Sequence, residues 1–449
     1  TEVNVSAGTN TTIYGGGNQG EATDTEVNIT GGTNTTIYGG GNEADVESTE
    51  VNVSAGTNTT IYGGGNQGEV TDTEVNITGG TNTTVYGGGN EGDVLDETNL
   101  SITGGTTNLA FGGGNSAGAE TTNVILNGGT VTTYLYGGSN NSGDVTETNV
   151  TATSGSADTI FGGNNIGGTC ETTNVTINGA TVTTAVYGGG NQVATDTTNV
   201  VLNSSANTIP NVFGGGNEAG VDETNIECNG ISATNIFGGS NSSGVVGTTD
   251  IDFNSGTVTN IYGGNNLGGN TGTSTIDING GTVTDVYGGG NQAEITTTNV
   301  NMNAGTVTNI YGAGNAAGAN TTNVSILGGT LSNAYGGSNQ SGTVQTTNVT
   351  LNTYDVNSNL MIFGGNNQGG TTVTSNVTSV IGTAYEIYGG NNQGGNTTTS
   401  NVIINDGTIT TVYGGNNLRG TTTTANVTTN GGTITDVYGG GNQAVTNET

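Results

Sequence analysis

The sequence predicts an all-β protein: a single parallel β-solenoid of 18 coils, with about 25 residues in each coil and no helices. Three observations support this fold class. An aromatic and glycine motif recurs along the whole chain, two alternating and usually apolar residues precede each copy, and a β-branched segment joins the two. They predict one continuous solenoid over residues 1–449, in which residues 1–48 and 49–96 are near-identical duplicates and a super-repeat of about 100 residues follows.

The motif consists of one aromatic residue, two residues that are glycines in nearly every copy, a third small or polar residue and an asparagine, and it occurs first at residues 14–18. Its 18 copies are separated by 24 to 28 residues and continue to Asn442. A fixed period of this kind is typical of solenoids, because each unit buries its apolar face only against its neighbours. The position after the two glycines, occupied first by Gly17 and called the third motif position below, holds only Gly, Ser or Asn. This restriction predicts a corner residue with positive φ.

Each coil is predicted to contain two or three short strands. An aliphatic residue and a second, usually apolar residue two places later precede each aromatic, as at Ile276 and Ile278. Because side chains on a strand alternate between its faces, this pair is buried and its neighbours are exposed. The Thr-rich segment that follows is β-branched and predicts the second strand. At about 4.8 Å per stacked strand, 18 coils predict an axial length of about 85 Å.

Stacking in register predicts ladders of identical side chains along the solenoid. The asparagine of the motif is interpreted as an amide ladder that satisfies corner backbone groups. The aromatic residue is interpreted as a stacked column, with an outward strip that binds sugars as the alternative, and the sequence leaves the direction of the rings open. In the first four coils the members are Asn18, Asn42, Asn66, Asn90, Tyr14, Tyr38, Tyr62 and Tyr86.

The composition excludes several classes of function. The 449 residues include 35 acidic residues, one basic residue, Arg419, and no His, so the formal net charge is −34. Without His or Lys, the usual general bases and Schiff-base amines are missing, and we expect no enzyme. The charge repels phosphates and anionic lipids, so nucleic-acid binding is not expected. No stretch is long and apolar enough to insert into a membrane.

Two columns of acidic residues are predicted in the first four coils, which contain 15 of the 35 carboxylates within residues 1–100. One column is Glu2, Glu26, Glu50 and Glu74, and the other is Glu21, Asp45, Glu69 and Asp93. Like charges about 5 Å apart repel by roughly 0.8 kcal/mol in water. Three alternatives stay open: the side chains splay into solvent without a cofactor, the carboxyl pKa values rise, or the columns bind a divalent cation, with calcium as the preferred ion.

Possible modification sites lie in the first strands, where outward asparagines often form Asn-x-Thr or Asn-x-Ser. Such triplets accept N-glycans in cells with the required machinery, but an Asn-rich and Thr-rich repeat also creates them by chance. The triplets begin at Asn28, Asn76, Asn149, Asn174, Asn348 and Asn426.

The repeat string, represented by residues 121–127 and 281–291, resembles the tandem repeats of large adhesin-like surface proteins of anaerobic bacteria and methanogenic archaea. The similarity covers essentially the whole chain. It implies a parallel β-helix that is exported to the cell surface or beyond, and it does not imply a particular activity.

These observations predict a non-enzymatic extracellular structural protein that is the subunit of a surface fibre or filament. A second form of this hypothesis adds adhesion to surface glycans. Residues 439–449 and 1–14 together make one repeat interval of 25 residues, which predicts head-to-tail assembly of the chain with itself. The alternatives are a carbohydrate-binding adhesin that uses the aromatic ladder and an ice-binding solenoid. The ice-binding alternative uses Thr-x-Thr pairs such as Thr257/Thr259 and Thr306/Thr308, with interruptions such as Asn108 and Asn333.

Overall fold

The computed structural model describes residues 1–354, 356–357 and 359–449, and these residues form strands, turns and bends without any helix. The chain is a parallel β-solenoid of about 18 turns with a spacing of roughly 25 residues, so the predicted fold class is confirmed. Because the described ranges contain no helix, they contain none that is long and apolar enough to cross a bilayer.

The chain divides into two compact units, Thr1–Glu223 and Thr224–Thr449. The strands that lie in the first unit are β1 (Glu2–Val5), β2 (Thr9–Tyr14), β3 (Ala22–Ile29), β4 (Thr33–Tyr38), β5 (Val46–Val53), β6 (Thr57–Tyr62), β7 (Val70–Ile77), β8 (Thr81–Tyr86), β9 (Val94–Ile102), β10 (Thr106–Phe111), β11 (Ala119–Tyr136), β12 (Val145–Phe161), β13 (Cys170–Asn178), β14 (Thr181–Tyr187), β15 (Thr195–Ser204) and β16 (Ile209–Phe213). The strands from the unit boundary onward are β17 (Val221–Phe237), β18 (Val246–Tyr262), β19 (Thr271–Ile278), β20 (Thr282–Tyr287), β21 (Ile295–Met302), β22 (Thr306–Tyr311), β23 (Ala319–Ile326), β24 (Thr330–Tyr335), β25 (Thr343–Thr353), β26 (Met361–Phe363), β27 (Thr371–Tyr388), β28 (Asn396–Ile404), β29 (Thr408–Tyr413), β30 (Thr421–Thr429), β31 (Thr433–Tyr438) and β32 (Val445–Glu448).

Strands pair in parallel with the equivalent strand of the next coil. In the first unit, β1, β3, β5, β7 and β9 form one ladder and β2, β4, β6, β8 and β10 form a second. The register places like residues beside each other, as in Val27 with Val51 and Tyr38 with Tyr62. This alignment is what converts the sequence repeat into columns of identical side chains.

The core lies between the two ladders within each unit. Val27 and Ile29 of β3 and Ile37 of β4 are fully buried, and Ile276 and Ile278 are equally buried in the second unit. The alternating apolar pairs therefore face inward as the period-two pattern predicts. Both cysteines, Cys170 and Cys228, are buried and free.

The prediction that the third motif position has positive φ is wrong. Gly17 does not have positive φ, and no described non-glycine residue does, so Ser139 and Asn164 at the same position are not left-handed. Positive φ occurs instead in glycines of the turns between the strands, such as Gly32. The third position is restricted for another reason: Ser139 and Asn164 are completely buried and point into the coil.

Buried side chains at the third motif position bond to the backbone of the neighbouring loops. Asn164 accepts a hydrogen bond from the backbone N–H of Ser139 at 2.8 Å and donates to the carbonyl of Thr169 at 3.0 Å. Ser139 donates to the carbonyl of Ala117 at 2.9 Å. Because a buried polar side chain must be satisfied, only a glycine or a small side chain that reaches these groups fits there.

Candidate functional site

The glycines of the motif form a corner of each coil, in which one backbone carbonyl accepts a side-chain hydroxyl. Gly15 N–H donates to the carbonyl of Tyr38 at 3.0 Å, and Gly16 N–H donates to the carbonyl of Gly40 at 3.1 Å. The carbonyl between these two acceptors, that of Gly39, accepts a hydrogen bond from the Thr25 hydroxyl at 2.6 Å. A buried hydroxyl from the first strand thus stabilises the corner of its own coil. This hydroxyl-to-carbonyl hydrogen bond is called the brace below.

The same brace recurs in both units, and the sequence analysis missed it. The signal was present: a Thr or Ser stands two residues before the first buried aliphatic residue in nearly every coil. Ala425 occupies the equivalent position in one coil. The buried hydroxyls that donate to a motif glycine include those of Thr49, Thr73, Thr98, Thr122, Thr148, Thr173, Thr198, Thr224, Thr249, Ser274, Thr298, Thr322, Thr347, Ser375 and Ser400.

Removing one brace should destabilise the protein. We expect Thr173→Val to lower the free energy of unfolding by about 1–3 kcal/mol, because the buried carbonyl of Gly188 loses its hydroxyl partner while the side-chain volume is kept. The adjacent Thr172→Val, at a half-buried position, should change it by less than about 0.5 kcal/mol. Urea unfolding followed by circular dichroism measures both values. Equal stability of the two variants would show that the brace is not needed.

The motif aromatics form a continuous stack within each unit. Tyr14, Tyr38, Tyr62 and Tyr86 have successive ring centroids 4.8–4.9 Å apart and planes within 6° of parallel. In the second unit the stack from Phe237 to Tyr438 has centroid distances of 4.6–5.0 Å. Both faces of an internal ring are therefore covered by its neighbours.

The direction of the aromatic column, which the sequence left open, follows from its neighbours. Ile37 is buried in the core, and a Cβ added to Gly39 would meet the buried Val51 side chain, so residues 37 and 39 face inward. Tyr38 lies between them and faces the opposite side of the strand. The column is thus outside the aliphatic core, but stacking leaves its internal ring faces covered. A sugar needs an open ring face, so this geometry argues against the ladder as a sugar-binding strip.

Burial also changes the acidity of the ladder tyrosines. Desolvation raises the pKa of Tyr262 and of Tyr335 to about 12, and it raises the pKa values of Tyr38 and Tyr86 as well. In the unfolded chain these phenols titrate near the usual value of 10.0. Between pH 10 and pH 12 the unfolded state therefore releases protons that the folded state keeps, so stability falls as the pH rises.

We accordingly expect the free energy of unfolding to fall in alkali once the pH passes the ordinary tyrosine pKa of 10.0. Below that pH the phenols are neutral in both states and contribute no pH dependence. Phenolate absorbance and circular dichroism, recorded during one pH titration, should change together above pH 10. If all tyrosines ionised near pH 10 while the circular dichroism spectrum stayed native, burial of the ladder would be contradicted.

The motif asparagines form a second ladder beside the aromatic one. Asn42 donates to the side-chain oxygen of Asn18 at 2.8 Å, Asn66 donates to Asn42 at 2.9 Å, and Asn90 donates to Asn66 at 2.9 Å. The Tyr38 hydroxyl lies 3.3 Å from the side-chain oxygen of Asn66. The two columns are therefore linked, and the amides use one another as partners from coil to coil.

The first acidic column is in register and has amide partners. Glu2, Glu26, Glu50 and Glu74 pair across successive strands. Each accepts a hydrogen bond of 2.7–2.9 Å from the asparagine two residues later. Hydrogen bonds to an ionised carboxylate stabilise its charge. The column is thus stabilised by its own strand, and calcium binding there stays a prediction.

The second acidic column lines a surface groove. Glu21, Asp45 and Glu69 lie there together with Glu47. Asp45 accepts the backbone N–H of Glu69 at 2.9 Å, and Asp93 accepts that of Gly118 at 2.7 Å. The aspartates thus cap the next coil, a structural use of the column that the sequence analysis missed.

A third group of carboxylates, which the sequence analysis did not single out, lies in the second unit. The ligand oxygens of Asp250, Asp252 and Asp277 are within 4.8 Å of one another. Burial, Asp277 and Glu227 raise the pKa of Asp252, in that order of importance. Asn301 already donates to Asp277 at 2.8 Å. Carboxylates that are close together occur without a bound ion, so this group alone does not define a metal site.

The six possible glycosylation sites lie on first strands, where their amide nitrogens donate to neighbouring side chains. The acceptors include Glu26 for Asn28 and Asn401 for Asn426, at 2.8 and 2.9 Å. In the remaining four sites the side-chain amide also donates, with donor–acceptor distances of 2.9–3.2 Å; these sites are Asn76, Asn149, Asn174 and Asn348. Asn426 is exposed, whereas the other five sites are partly buried. Glycan attachment stays a prediction, which an intact mass above 44.1 kDa would support.

The Thr-x-Thr pairs are exposed, one on β18 and one on β22. Thr257 and Thr259 face solvent, as do Thr306 and Thr308, and Thr257 pairs in register with Thr282. Asn108, one of the interruptions, accepts hydrogen bonds from two threonines of the next coil. The exposed hydroxyls form short arrays, and ice binding stays a prediction that a measurement of thermal hysteresis tests.

In comparisons with protein-family models, curated proteins and solved structures, the chain matches none. The resemblance to adhesin-like repeat proteins therefore stays a prediction.

Proposed function

We propose that the chain is a non-enzymatic structural protein of the cell exterior, whose stacked coils serve as a stable element of a surface fibre. One observation carries this proposal: in coil after coil, the polar and aromatic residues that recur in the sequence contact their counterparts in the next coil. Groups used in this way stabilise the stack.

The charge of the protein supports an exposed location. A formal net charge of −34 keeps the surface soluble and repels anionic surfaces. A chain whose one basic residue is Arg419 also offers a single cleavage site to proteases that require Lys or Arg. Both properties suit a protein that remains outside the cell for long periods.

Location and catalysis are tested separately. Antibodies against the purified chain should label intact source cells, and labelling only after permeabilisation would contradict the proposal. A turnover assay on acidic and neutral polysaccharides, with Arg419→Ala as a matched variant, should show no activity above background. Reproducible turnover would contradict the non-enzymatic assignment. Head-to-tail assembly stays a prediction.

Proteolysis offers a further prediction. Arg419 is exposed, so trypsin should cleave the native protein once and give fragments of residues 1–419 and 420–449. A protease of broad specificity should digest the native chain far more slowly than the denatured chain, because paired strands do not fit a protease active site. Mass spectrometry of timed digests measures both. Rapid cleavage at many positions within strands would show that the coils open readily.

A further inference from the structure

Tyr134 breaks the pattern of the repeat in the first unit. It stands two residues before the ladder residue Tyr136 and pairs in register with Leu109 on one side and Thr159 on the other. The first four coils have threonine at this position, namely Thr12, Thr36, Thr60 and Thr84. An apolar and an aromatic residue therefore replace hydroxyls in two consecutive coils.

A β-bulge positions Tyr134. Two residues separate Val131 from Tyr134, whereas one residue, Asn108, separates their partners in the previous coil. The hydroxyls of Thr132 and Thr133 both donate to the side-chain oxygen of Asn108, at 3.2 and 2.5 Å. A bulge redirects the side chains that follow it.

The redirected ring lies outside the aromatic stack. Its centroid is 5.9 Å from those of Tyr136 and Phe161, with interplanar angles of 63° and 70°. Tyr134 is 39% exposed, whereas Tyr136 is 2% exposed. Tyr134 thus offers ring surface to a ligand, which the stacked rings do not.

The groove beside Tyr134 combines this ring with apolar and amide groups. Ile166, which is 52% exposed, contributes an apolar side chain. Asn165 donates to Asn140 at 2.8 Å, and Asn191 donates to Asn165 at 3.0 Å. Because an amide has two N–H protons and two oxygen lone pairs, Asn165 keeps one donor and one acceptor position beyond these ladder bonds.

The groove lining is uncharged, although the protein carries a formal net charge of −34. Three other surface grooves each contain carboxylates, such as Glu21, Glu74 and Asp93. An uncharged lining favours a neutral ligand. An aromatic face with amide donors and acceptors nearby complements the C–H face and the hydroxyls of a pyranose ring. We propose that this groove binds a neutral saccharide, with Tyr134 as the stacking residue.

The variant Tyr134→Ala tests the proposal with little risk to the fold. The coil that follows Thr159 has the same bulge, in which Thr183 and Thr184 both donate to Asp158 at 2.7 Å, and it carries Ala185 at the position of Tyr134. Alanine is therefore compatible with the bulge. Thermal unfolding of the variant checks that its fold is retained.

Isothermal titration of the full chain with neutral hexasaccharides of glucose, mannose and N-acetylglucosamine provides the measurement. We expect at least one of them to bind, and Tyr134→Ala to bind it about tenfold more weakly. Tyr134→Phe should retain binding because the ring face is kept. Tyr385→Ala, which removes a 46% exposed tyrosine of the second unit, should bind as the unchanged protein does.

Absence of binding by all three hexasaccharides would overturn the proposal, and so would equal affinity of Tyr134→Ala. Binding of an apolar peptide at Tyr134 in place of the sugars would also overturn it. None of these results bears on the structural role, because that role depends on the ladders and not on Tyr134.

Discussion

We expect Gly162→Ala to lower the free energy of unfolding by about 3 kcal/mol or more. A Cβ added at this motif glycine would lie 2.0 Å from the carbonyl oxygen of Gly188 in the next coil and 2.9 Å from a methyl group of Val175. A backbone carbonyl cannot rotate away as a flexible side chain does, so the two coils must separate. Separation strains the parallel ladder and the Thr148 brace, whose hydroxyl donates to the Gly162 carbonyl at 2.6 Å.

A matched substitution is available for this prediction. Gly20 does not have positive φ, and a Cβ added there would meet nothing within 4 Å. Gly20→Ala should therefore be neutral or stabilise the protein by less than about 1 kcal/mol through the unfolded state. Thermal and urea unfolding of both variants measures the contrast. If Gly162→Ala were as stable as Gly20→Ala, the close approach of the coils would be contradicted.

The second large effect is expected for Tyr136→Ala, which should cost about 3–5 kcal/mol. Tyr136 is 2% exposed and stacks on Phe111 and Phe161 with centroid distances of 4.9 and 4.7 Å. Removing the ring leaves a gap in the column that neighbouring rings cannot fill, because each is fixed by the spacing of its own coil. Two ring faces also lose their partners.

The variant Tyr136→Phe separates the ring from its hydroxyl. The ladder carries phenylalanine at Phe111, Phe161, Phe213, Phe237 and Phe363. Tyr136→Phe should accordingly change the free energy of unfolding by less than about 1 kcal/mol. Urea unfolding curves of the two variants are the measurement. Similar losses for both variants would mean that the hydroxyl, and not stacking, stabilises the column.

Periodicity was sufficient to predict the architecture from the sequence. The recurrence of the motif and the alternation of apolar residues are local properties of the sequence. Each period corresponds directly to a structural repeat, because each coil has the same conformation as the previous one. The same registration brings Asn18 to Asn42 and Tyr14 to Tyr38. The residues of the ladders were therefore identifiable from the sequence alone.

Details within a coil were less accessible. The restriction of the third motif position to Gly, Ser and Asn suggested positive φ, yet Asn164 shows that burial and backbone hydrogen bonds impose it. A short list of tolerated residues has the same appearance whether backbone conformation or available space selects it. The brace from Thr25 to Gly39 was overlooked for a related reason, since 14 residues separate the two groups in the chain.

The sequence by itself determined the solenoid fold, the coil length and the identity of the stacked columns, because these follow from periods of two residues and of about 25 residues along the chain. The tertiary structure alone decided that the aromatic column lies outside the aliphatic core, that buried hydroxyls brace the corners and that Tyr134 stands apart from the stack. Those features depend on which atoms of the facing strand and of the next coil lie within a few ångströms. Residue spacing along the chain does not encode these contacts.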